Sequence, residues 1–242
     1  MTAKPSKCCL GFSELEFLGH IAGNGTIKPV HDKVLAIKDY PVPKTKKNVR
    51  SFLGLVGFYR KFIPKFSDIA IPLTDLTKKN MPNKVQWSDI HQKAFDLLKV
   101  KICTEPVLKS PDFNRKFILQ TDASQTGLGG VLLQEFEDGR HPVMYISKKL
   151  SGAECHYAVI EKECYAIVWA VKTLKVYLEG KEFTVLSDHA PLQWLDRVKT
   201  SNQRLLRWSL MLQEYKFTIS HIAGKMNIVS DALSRSDESG DP

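Results

Sequence analysis

The chain has 242 residues, of which 43% are hydrophobic and 25% charged, so it can form one or two domains with apolar cores. No apolar run approaches the roughly 20 residues of a membrane-spanning helix, and the first residues lack the apolar centre of a secretory signal. The 5 cysteines include no CxxC pair, which favours neither a disulfide framework nor a zinc site. We therefore expect an intracellular protein, cytoplasmic or nuclear, without a membrane partner.

Positive charge is concentrated in one part of the chain. The net charge is +9 at pH 7. Between residues 28 and 66 the only acids are Asp32 and Asp39, whereas the basic residues are Lys28, Lys33, Lys38, Lys44, Lys46, Lys47, Arg50, Arg60, Lys61 and Lys65. A basic segment with interleaved aromatic residues is typical of proteins that bind nucleic acid. The alternative is the solvated helix face of an ordinary basic protein.

The first half of the chain is predicted to be a hairpin followed by helices. The predicted elements are a strand at 17–21, a turn at 23–25, helices at 31–37, 45–63 and 88–103, a linker at 78–84 and an extended connection at 104–116. Thr45 and Ser88 are placed to cap the second and third of these helices.

From residue 117 onward the pattern alternates between strands and helices. We predict strands at 117–121, 128–134, 142–147, 182–187 and 216–222, and helices at 156–178, after Asp188, at 201–214 and at 227–234. A Gly-rich bend is expected between the first two strands. Strands mixed with helices predict an α/β or α+β domain of about 120 residues. Residues 236–242 are expected to be a disordered tail.

Four acids lie where predicted apolar segments meet solvent: Asp122, Glu163, Asp188 and Asp231. Each alone has an ordinary explanation, as a turn residue, a helix-dipole partner, an N-cap or a surface residue. Together they can gather at one sheet edge, where their mutual repulsion requires neutralising cations. Carboxylate-only sites suit Mg²⁺ or Mn²⁺. Two such ions, roughly 3.5–4 Å apart, support phosphodiester cleavage.

Several sequence blocks, spread in order along nearly the whole chain, carry a family resemblance. They are KPSKCCLG, LEFLGHIAGNGTIKP, RSFLGLVGFYRKFIPKFSDIAIPLTDL, QTDASQTGLGGVLLQ, YAVIEKECYAIVWAVKTLKVYLEGKEFTVLSDHAPLQWL, NQRLLRWSLMLQEYKFTISHIAGKMN and SDALSR. These blocks resemble the reverse transcriptase–ribonuclease H segment of Gypsy-type LTR retrotransposon Pol polyproteins. The resemblance implies an α/β (α+β) fold, with a ribonuclease H-like mixed five-stranded sheet and flanking helices, preceded by a small, mostly helical thumb-like domain.

The resemblance also implies a division of the chain. The expected parts are the end of the polymerase palm with a primer-grip-like hairpin at 1–28, a helical thumb-like domain at 29–80, a connection segment at 81–115, a ribonuclease H domain at 116–235 and the tail at 236–242. No Tyr-X-Asp-Asp motif occurs in the sequence, so polymerisation is not expected from this chain alone.

The resemblance places the four acids on the family's metal-binding positions. Asp122, Glu163, Asp188 and Asp231 would then hold two Mg²⁺ ions, with Mn²⁺ as a substitute. His221 stands ten residues before Asp231, as the mobile catalytic histidine of retroviral ribonucleases H does. A solvent-facing residue at a strand end is an equally natural reading of His221. His189 is expected to belong to the start of a helix.

Nucleic-acid contacts are expected from both halves of the chain. Ser124 and Gln125, next to Asp122, could meet the 2′-hydroxyls that distinguish RNA from DNA. Arg204 and Arg207 could hold phosphates, or could simply solvate a helix whose Trp208 packs inward. The expected contacts in the N-terminal half are Phe17, Gly19, His20, Lys46, Lys47, Arg50, Arg60 and Lys61.

The leading hypothesis is a metal-dependent endonuclease that hydrolyses the RNA strand of RNA·DNA hybrids, with the polymerase portion of the polyprotein as a further partner. The alternative is a non-catalytic nucleic-acid-binding module from a domesticated or truncated retroelement. A third hypothesis is an integrase or resolvase of the same fold. The order of the acids, with the Glu on the long helix before the second Asp, disfavours it.

Overall fold

The computed structural model describes residues 11–104, 107–188 and 202–222. The predicted short helix after Asp188, the predicted helix at 227–234, the tail at 236–242, and the residues His189 and Asp231 lie outside the described residues. Among the described helices, none is both long enough and apolar enough to cross a bilayer.

Two sheets and two sets of helices make up the described chain. The strands are β1 (Glu14–Phe17), β2 (His20–Gly23), β3 (Thr26–Pro29), β4 (Leu108–Lys109), β5 (Phe117–Ala123), β6 (Gly127–Phe136), β7 (Gly139–Lys149), β8 (Glu182–Ser187) and β9 (Lys216–His221). The helices are α1 (His31–Lys38), α2 (Lys46–Phe58), α3 (Phe66–Asp75), α4 (Asp89–Cys103), α5 (Gly152–Cys155), α6 (Val159–Thr173), α7 (Lys175–Leu178) and α8 (Gln203–Leu212), with a 3-10 turn at Arg60–Phe62.

The first sheet is antiparallel, in the order β1-β2-β3-β4. The prediction of a continuous strand at 17–21 is wrong, because the chain reverses at Leu18 and Gly19, where φ is 48° and 73°. Phe17 and His20 therefore pair across this turn. A second turn at Asn24 and Gly25, with φ of 48° and 67°, joins β2 to β3. Two-residue turns with positive φ at both positions match the right-handed twist of the strands that they connect.

The helices α1–α4 pack around one apolar core, to which α1 contributes Ile37, α2 Phe52, α3 Leu73 and α4 Leu98. Thr45 caps α2 as predicted, since its Oγ1 accepts a hydrogen bond from the Asn48 backbone N at 3.2 Å. The helix ends at Phe58, earlier than the predicted end near Pro64. We call β1–β4 and α1–α4 the N-terminal unit. Its core crosses the predicted boundary at residue 81, and the division into domains stays a prediction.

The second sheet has the order β7-β6-β5-β8-β9. β5, β6 and β7 are antiparallel neighbours, whereas β8 and β9 run parallel to β5. The predicted bend between the first two strands is present at residues 124–126, but the glycines expected to form it lie within β6. The predicted helix at 156–178 is divided into α6 and α7. We call β5–β9 and α5–α8 the C-terminal domain, and its mixed five-stranded sheet with flanking helices confirms the predicted fold class.

The N-terminal unit packs on the C-terminal domain through the 3-10 turn and α3. The Ser67 backbone N donates to Ser147 Oγ at 3.0 Å, and Arg60 Nη2 donates to the Ser147 carbonyl. Lys149 Nζ lies 2.6 Å from Asp75 Oδ1. These contacts bring the first residues of α3 to the surface of the second sheet.

Candidate metal centre and nucleic-acid interface

The parallel pairing of β5 with β8 sets two of the predicted acids side by side. Gln120 of β5 is opposite Leu186 of β8. The same register, carried two residues further, sets Asp122 opposite Asp188, which follows directly after β8. Adjacent strands are about 4.8 Å apart, so the two residues lie at neighbouring positions on one end of the sheet.

Glu163 of α6 brings a third carboxylate to this end of the sheet. Its side chain is buried, and Oε2 has no hydrogen-bond partner among the described residues. Burial, with the negative charges of Asp188 and Asp122, raises the pKa of Glu163 to about 8, although a hydrogen bond from the Ala123 backbone opposes the shift. A carboxyl whose pKa responds to both aspartates lies within electrostatic reach of both. The structure therefore brings together the three predicted acids that it describes.

A lysine from the N-terminal unit pairs with the first of these acids. Lys65 Nζ lies 2.6 Å from Asp122 Oδ2, and the two side chains are 22% and 19% exposed. Gly129 of β6 is the cross-strand partner of Asp122, and a Cβ built there would lie 3.7 Å from Lys65 Cγ. The lysine stem thus lies over a glycine. The sequence predicts a metal ion as the partner of Asp122 and does not indicate Lys65, because no local pattern relates the two residues.

Asp68 is a further acid at the site that sequence reasoning missed. It lies in the first turn of α3, and a Cβ at Gly127 would overlap its Oδ1. Burial raises the pKa of Asp68, the charge of Lys65 lowers it, and the charge of Asp122 raises it further. Like Glu163 Oε2, the Oδ1 atom is buried without a hydrogen-bond partner in the described part of the chain. Asp68 was missed because an acid in the first turn of an apolar helix is common, and no sequence pattern connects it to a site on another domain.

The donor chemistry of this site fits a divalent cation. Within residues 11–104, 107–188 and 202–222, no three His, Cys, Asp or Glu side chains are arranged to hold a metal ion. Asp122, Glu163 and Asp188 nevertheless supply only carboxylate oxygens, which Mg²⁺ prefers, and one of these oxygens is buried without a partner. The repulsion that raises the pKa of Glu163 is the kind that a bound cation relieves. The fourth predicted ligand, Asp231, lies outside the described residues.

His221 lies beside Asp188, at the end of β9. Its Nε2 is 3.1 Å from the Asp188 backbone carbonyl, and because a carbonyl oxygen only accepts, Nε2 is the donor. The side chain is exposed. The structure thus places His221 next to one of the acids, and a catalytic role for His221 stays a prediction.

Of the predicted nucleic-acid contacts in the C-terminal domain, some side chains are bonded within the protein and others are exposed. Ser124 Oγ closes the turn between β5 and β6, since it accepts from the Gly127 backbone N at 2.8 Å. Gln125, beside it, is exposed. Arg204 Nη1 is 2.9 Å from Glu161 Oε1, in an ion pair that joins α8 to α6. Arg207 is exposed on α8, and its Nε donates to the Gln203 carbonyl at 3.4 Å.

The hairpin of β1 and β2 presents Phe17, Gly19 and His20 at its turn. Phe17 is 61% exposed. The Gly19 carbonyl accepts a hydrogen bond from the Tyr59 hydroxyl at 3.0 Å. The His20 ring stacks on Phe58 with centroids 5.0 Å apart. Burial lowers the pKa of His20, the charge of Lys61 lowers it further, and a hydrogen bond to the Leu18 carbonyl opposes both effects.

The predicted basic contacts of the N-terminal unit divide into exposed and internally bonded side chains. Lys46 Nζ donates to the Lys79 carbonyl at 3.3 Å, and Arg50 Nη2 donates to the Thr77 carbonyl at 3.0 Å. Arg60 reaches the Ser147 carbonyl of the C-terminal domain, and Lys61 lies over the Phe62 ring at 5.4 Å. Lys47 is exposed on α2. Positive charge is thus present at this surface, and part of it also holds the fold together.

Comparison with known proteins agrees with this architecture. Residues 112–215 match the family described as the RNase H-like domain found in reverse transcriptase. The chain is 48% identical over 229 residues to the retrovirus-related Pol polyprotein from transposon 297 of Drosophila melanogaster, covering 95% of this chain and 21% of that protein. It is 36% identical over 235 residues to the transposon Tf2-3 polyprotein of Schizosaccharomyces pombe, covering 95% of this chain and 18% of that protein. The chain therefore spans about a fifth of the length of these relatives.

Solved structures share the fold at lower sequence identity. A foamy viral protease-reverse transcriptase in complex with double-stranded DNA has a TM-score of 0.75 and 23% identity, over 90% of this chain and 47% of that chain. The foamy viral protease-reverse transcriptase in complex with an RNA/DNA hybrid has a TM-score of 0.72 and 22% identity, over 88% of this chain and 29% of that chain.

The fold and the family match define the class: the chain carries an RNase H-like domain of the kind found in reverse transcriptases. More particularly, it is a homologue of retrotransposon Pol polyproteins, which confirms the resemblance seen in its sequence blocks.

Proposed function

We propose that the chain is a metal-dependent endonuclease that hydrolyses the RNA strand of RNA·DNA hybrids, as part of a retrotransposon-type reverse transcriptase. The observation that carries this proposal is the parallel pairing of β5 with β8 up to Gln120 and Leu186, two residues before Asp122 and Asp188, with the charges of both aspartates raising the pKa of Glu163. Three carboxylates at one end of a mixed sheet are the donors that hydrolytic divalent-metal sites use.

Different residues of this site would bind the metal, transfer protons and contact the substrate. Asp122, Glu163 and Asp188, with Asp231, would hold Mg²⁺ or Mn²⁺. Such an ion, when bound, activates water and stabilises the leaving oxygen of a phosphodiester. His221 is exposed beside Asp188, where its imidazole would carry a proton between the site and solvent. Gln125, exposed after Asp122, would face the substrate backbone.

The basic surface supports a nucleic-acid substrate. Lys47 on α2 and Arg207 on α8 are exposed, and they would neutralise phosphates of a bound duplex. A related fold, that of the foamy viral enzyme, is known in complex with an RNA/DNA hybrid. Because this chain spans about a fifth of its Pol relatives, the polymerase portion would be the partner that adds further hybrid affinity.

A cleavage assay tests the proposal directly. The whole chain is incubated with a hybrid labelled on its RNA strand, in Mg²⁺, in Mn²⁺ and in chelator. We expect metal-dependent cleavage that Asp122→Asn lowers by at least about 100-fold, because one ligand of the metal is lost. Asp138→Asn is the matched control, since Asp138 is an exposed acid at the turn between β6 and β7. No cleavage in either metal, or equal cleavage by Asp122→Asn, would reject the proposal.

The ion pair between Lys65 and Asp122 favours a second candidate function. With an ammonium group on the first acid, the chain would act as a non-catalytic nucleic-acid-binding module. Hybrid binding that weakens steeply with salt, without cleavage in Mg²⁺ or Mn²⁺, is the outcome that supports this candidate.

A further inference from the structure

The contact between Lys65 and Asp122 joins the N-terminal unit to the acids of the C-terminal domain. We propose that the Lys65 ammonium competes with a divalent cation for Asp122, so that metal binding and the docking of α3 oppose each other. The inference rests on the metal site of the proposed function and adds a residue from outside the C-terminal domain to it.

The geometry of α3 aims Lys65 at the site. Lys65 is in the left-handed region, with φ 50° and ψ 31°, and directly precedes the helix. Its carbonyl accepts from the backbone N of Asp68 at 3.0 Å and of Ile69 at 3.2 Å. The first turn of the helix therefore fixes the backbone from which the lysine side chain extends. A non-glycine residue in this region is uncommon and is kept only where its surroundings determine it.

Two glycines of β6 make room for this approach. A Cβ at Gly127 would overlap Asp68 Oδ1, and a Cβ at Gly129 would contact the Lys65 stem. The beginning of α3 therefore lies against the face of β6 where Gly127 and Gly129 leave room. The close approach brings the lysine within 2.6 Å of Asp122 Oδ2.

The Lys65 ammonium and a divalent cation exclude each other at the Asp122 carboxylate, because both are positively charged. The site gathers the carboxyl groups of Asp122, Glu163, Asp188 and Asp68, and the ammonium contributes a single positive charge to them. A divalent ion on Asp122 adds two charges, and it would be repelled by an ammonium group that touches the same carboxylate. Because linkage is reciprocal, the factor by which the lysine contact weakens metal binding equals the factor by which a bound metal ion weakens the lysine contact.

The hydrogen bonds that dock the start of α3 would weaken when a metal ion replaces the Lys65 ammonium on Asp122. The Ser67 backbone N donates to Ser147 Oγ at 3.0 Å, two residues from the lysine. The ion pair of Lys149 with Asp75 lies at the other end of α3 and does not involve the acids of the site. Metal binding would therefore loosen the start of α3 and leave its end in place.

Metal titration of the whole chain provides the first test. Mn²⁺ affinity is measured by calorimetry for the unaltered chain, Lys65→Met, Lys65→Arg and Lys79→Met. Lys79 is an exposed lysine of the same unit, so its substitution removes the same charge away from the site. We expect Lys65→Met to bind Mn²⁺ about three- to tenfold more tightly than Lys79→Met, as a partly shielded ion pair is lost. Lys65→Arg keeps the charge and should retain the affinity of the unaltered chain.

Amide hydrogen exchange provides the second test. Saturating Mg²⁺ should speed exchange at Ser67 in the unaltered chain and leave Lys65→Met unaffected. Equal Mn²⁺ affinities for Lys65→Met and Lys79→Met would overturn the inference.

An Asp122→Asn titration separates this inference from the proposed function. If metal binding depends on Asp122 but not on Lys65, the inference alone fails. If metal binding does not depend on Asp122, the metal site of the proposed function fails with it.

Discussion

Glu163 is a carboxylic acid held in a place that opposes its ionisation. It is buried on α6 beside two aspartates, and these surroundings raise its pKa to about 8. In the unfolded chain the group titrates near its ordinary value of 4.5. Between these two values the unfolded chain has lost the proton that the folded protein keeps. The stability of the metal-free protein should therefore fall as pH rises from about 4.5 to about 8, and then level off.

Replacing Glu163 by glutamine should remove this pH dependence. Without metal, we expect Glu163→Gln to stabilise the protein by about 2–4 kcal/mol above pH 8 and to leave it unchanged near pH 4. Urea unfolding in chelator, repeated at several pH values, measures the difference. Glu137→Gln, at an exposed position of the same domain, is the control. The same pH slope for Glu163→Gln and the unaltered chain would contradict the account.

At the residue scale, sequence reasoning found the acids but not their surroundings. Asp122, Glu163 and Asp188 were identifiable because each lies at the boundary of an apolar element and within a family block. Lys65 and Asp68 were not, because their part in the site depends on how α3 packs against β6. A contact between distant segments leaves no local pattern in either segment.

At the element scale, α2 depends on Thr45, the residue that caps its N-terminus. Thr45 Oγ1 accepts from the Asn48 backbone N and lies 2.6 Å from Asn48 Oδ1. We expect Thr45→Ala to lower the free energy of unfolding by about 1 kcal/mol, because a helix N–H loses its partner. Thr45→Ser keeps the hydroxyl and should cost far less. Thermal unfolding monitored by circular dichroism compares the two, and equal losses would show that the methyl group, not the cap, is what matters.

The elements that sequence predicted best have explicit end signals. Thr45 and Ser88, as predicted N-caps, located the starts of α2 and α4. The turn at Leu18 and Gly19 was missed because an apolar run continues through it. The separate helix α3 was also missed. It contains Pro72, which cannot donate to the carbonyl one turn earlier, and it is held by burial of Phe66, Ala70 and Leu73.

At the scale of the whole molecule, the basic residues serve two different purposes. Lys47 is exposed, whereas Arg60 joins the N-terminal unit to the C-terminal domain through the Ser147 carbonyl. We expect Lys47→Gln to weaken hybrid binding several-fold and to lower the salt slope by about one, without a change in stability. Arg60→Gln should instead lower the free energy of unfolding by about 1 kcal/mol, because the hydrogen bond between the two parts is lost.

Fluorescence anisotropy with a labelled hybrid at several salt concentrations, together with thermal unfolding, separates these effects. Both variants remove one positive charge, so each is the control for the other. A stability loss for Lys47→Gln, or an unchanged stability for Arg60→Gln, would show that the assignment of the two residues is wrong.

The topology of the second sheet has a consequence for the order in which the protein is made. β5, β6 and β7 pair with their immediate neighbours along the chain, but β8 reaches β5 only after α5, α6 and α7. Closing a longer loop costs more entropy, so this parallel pairing is expected to form after the local hairpins. A growing polypeptide on the ribosome can thus complete the meander that carries Asp122 before Asp188 has been translated. We expect such a nascent chain to be folded in part and yet unable to cleave a hybrid, because Asp188 is missing from the proposed metal site.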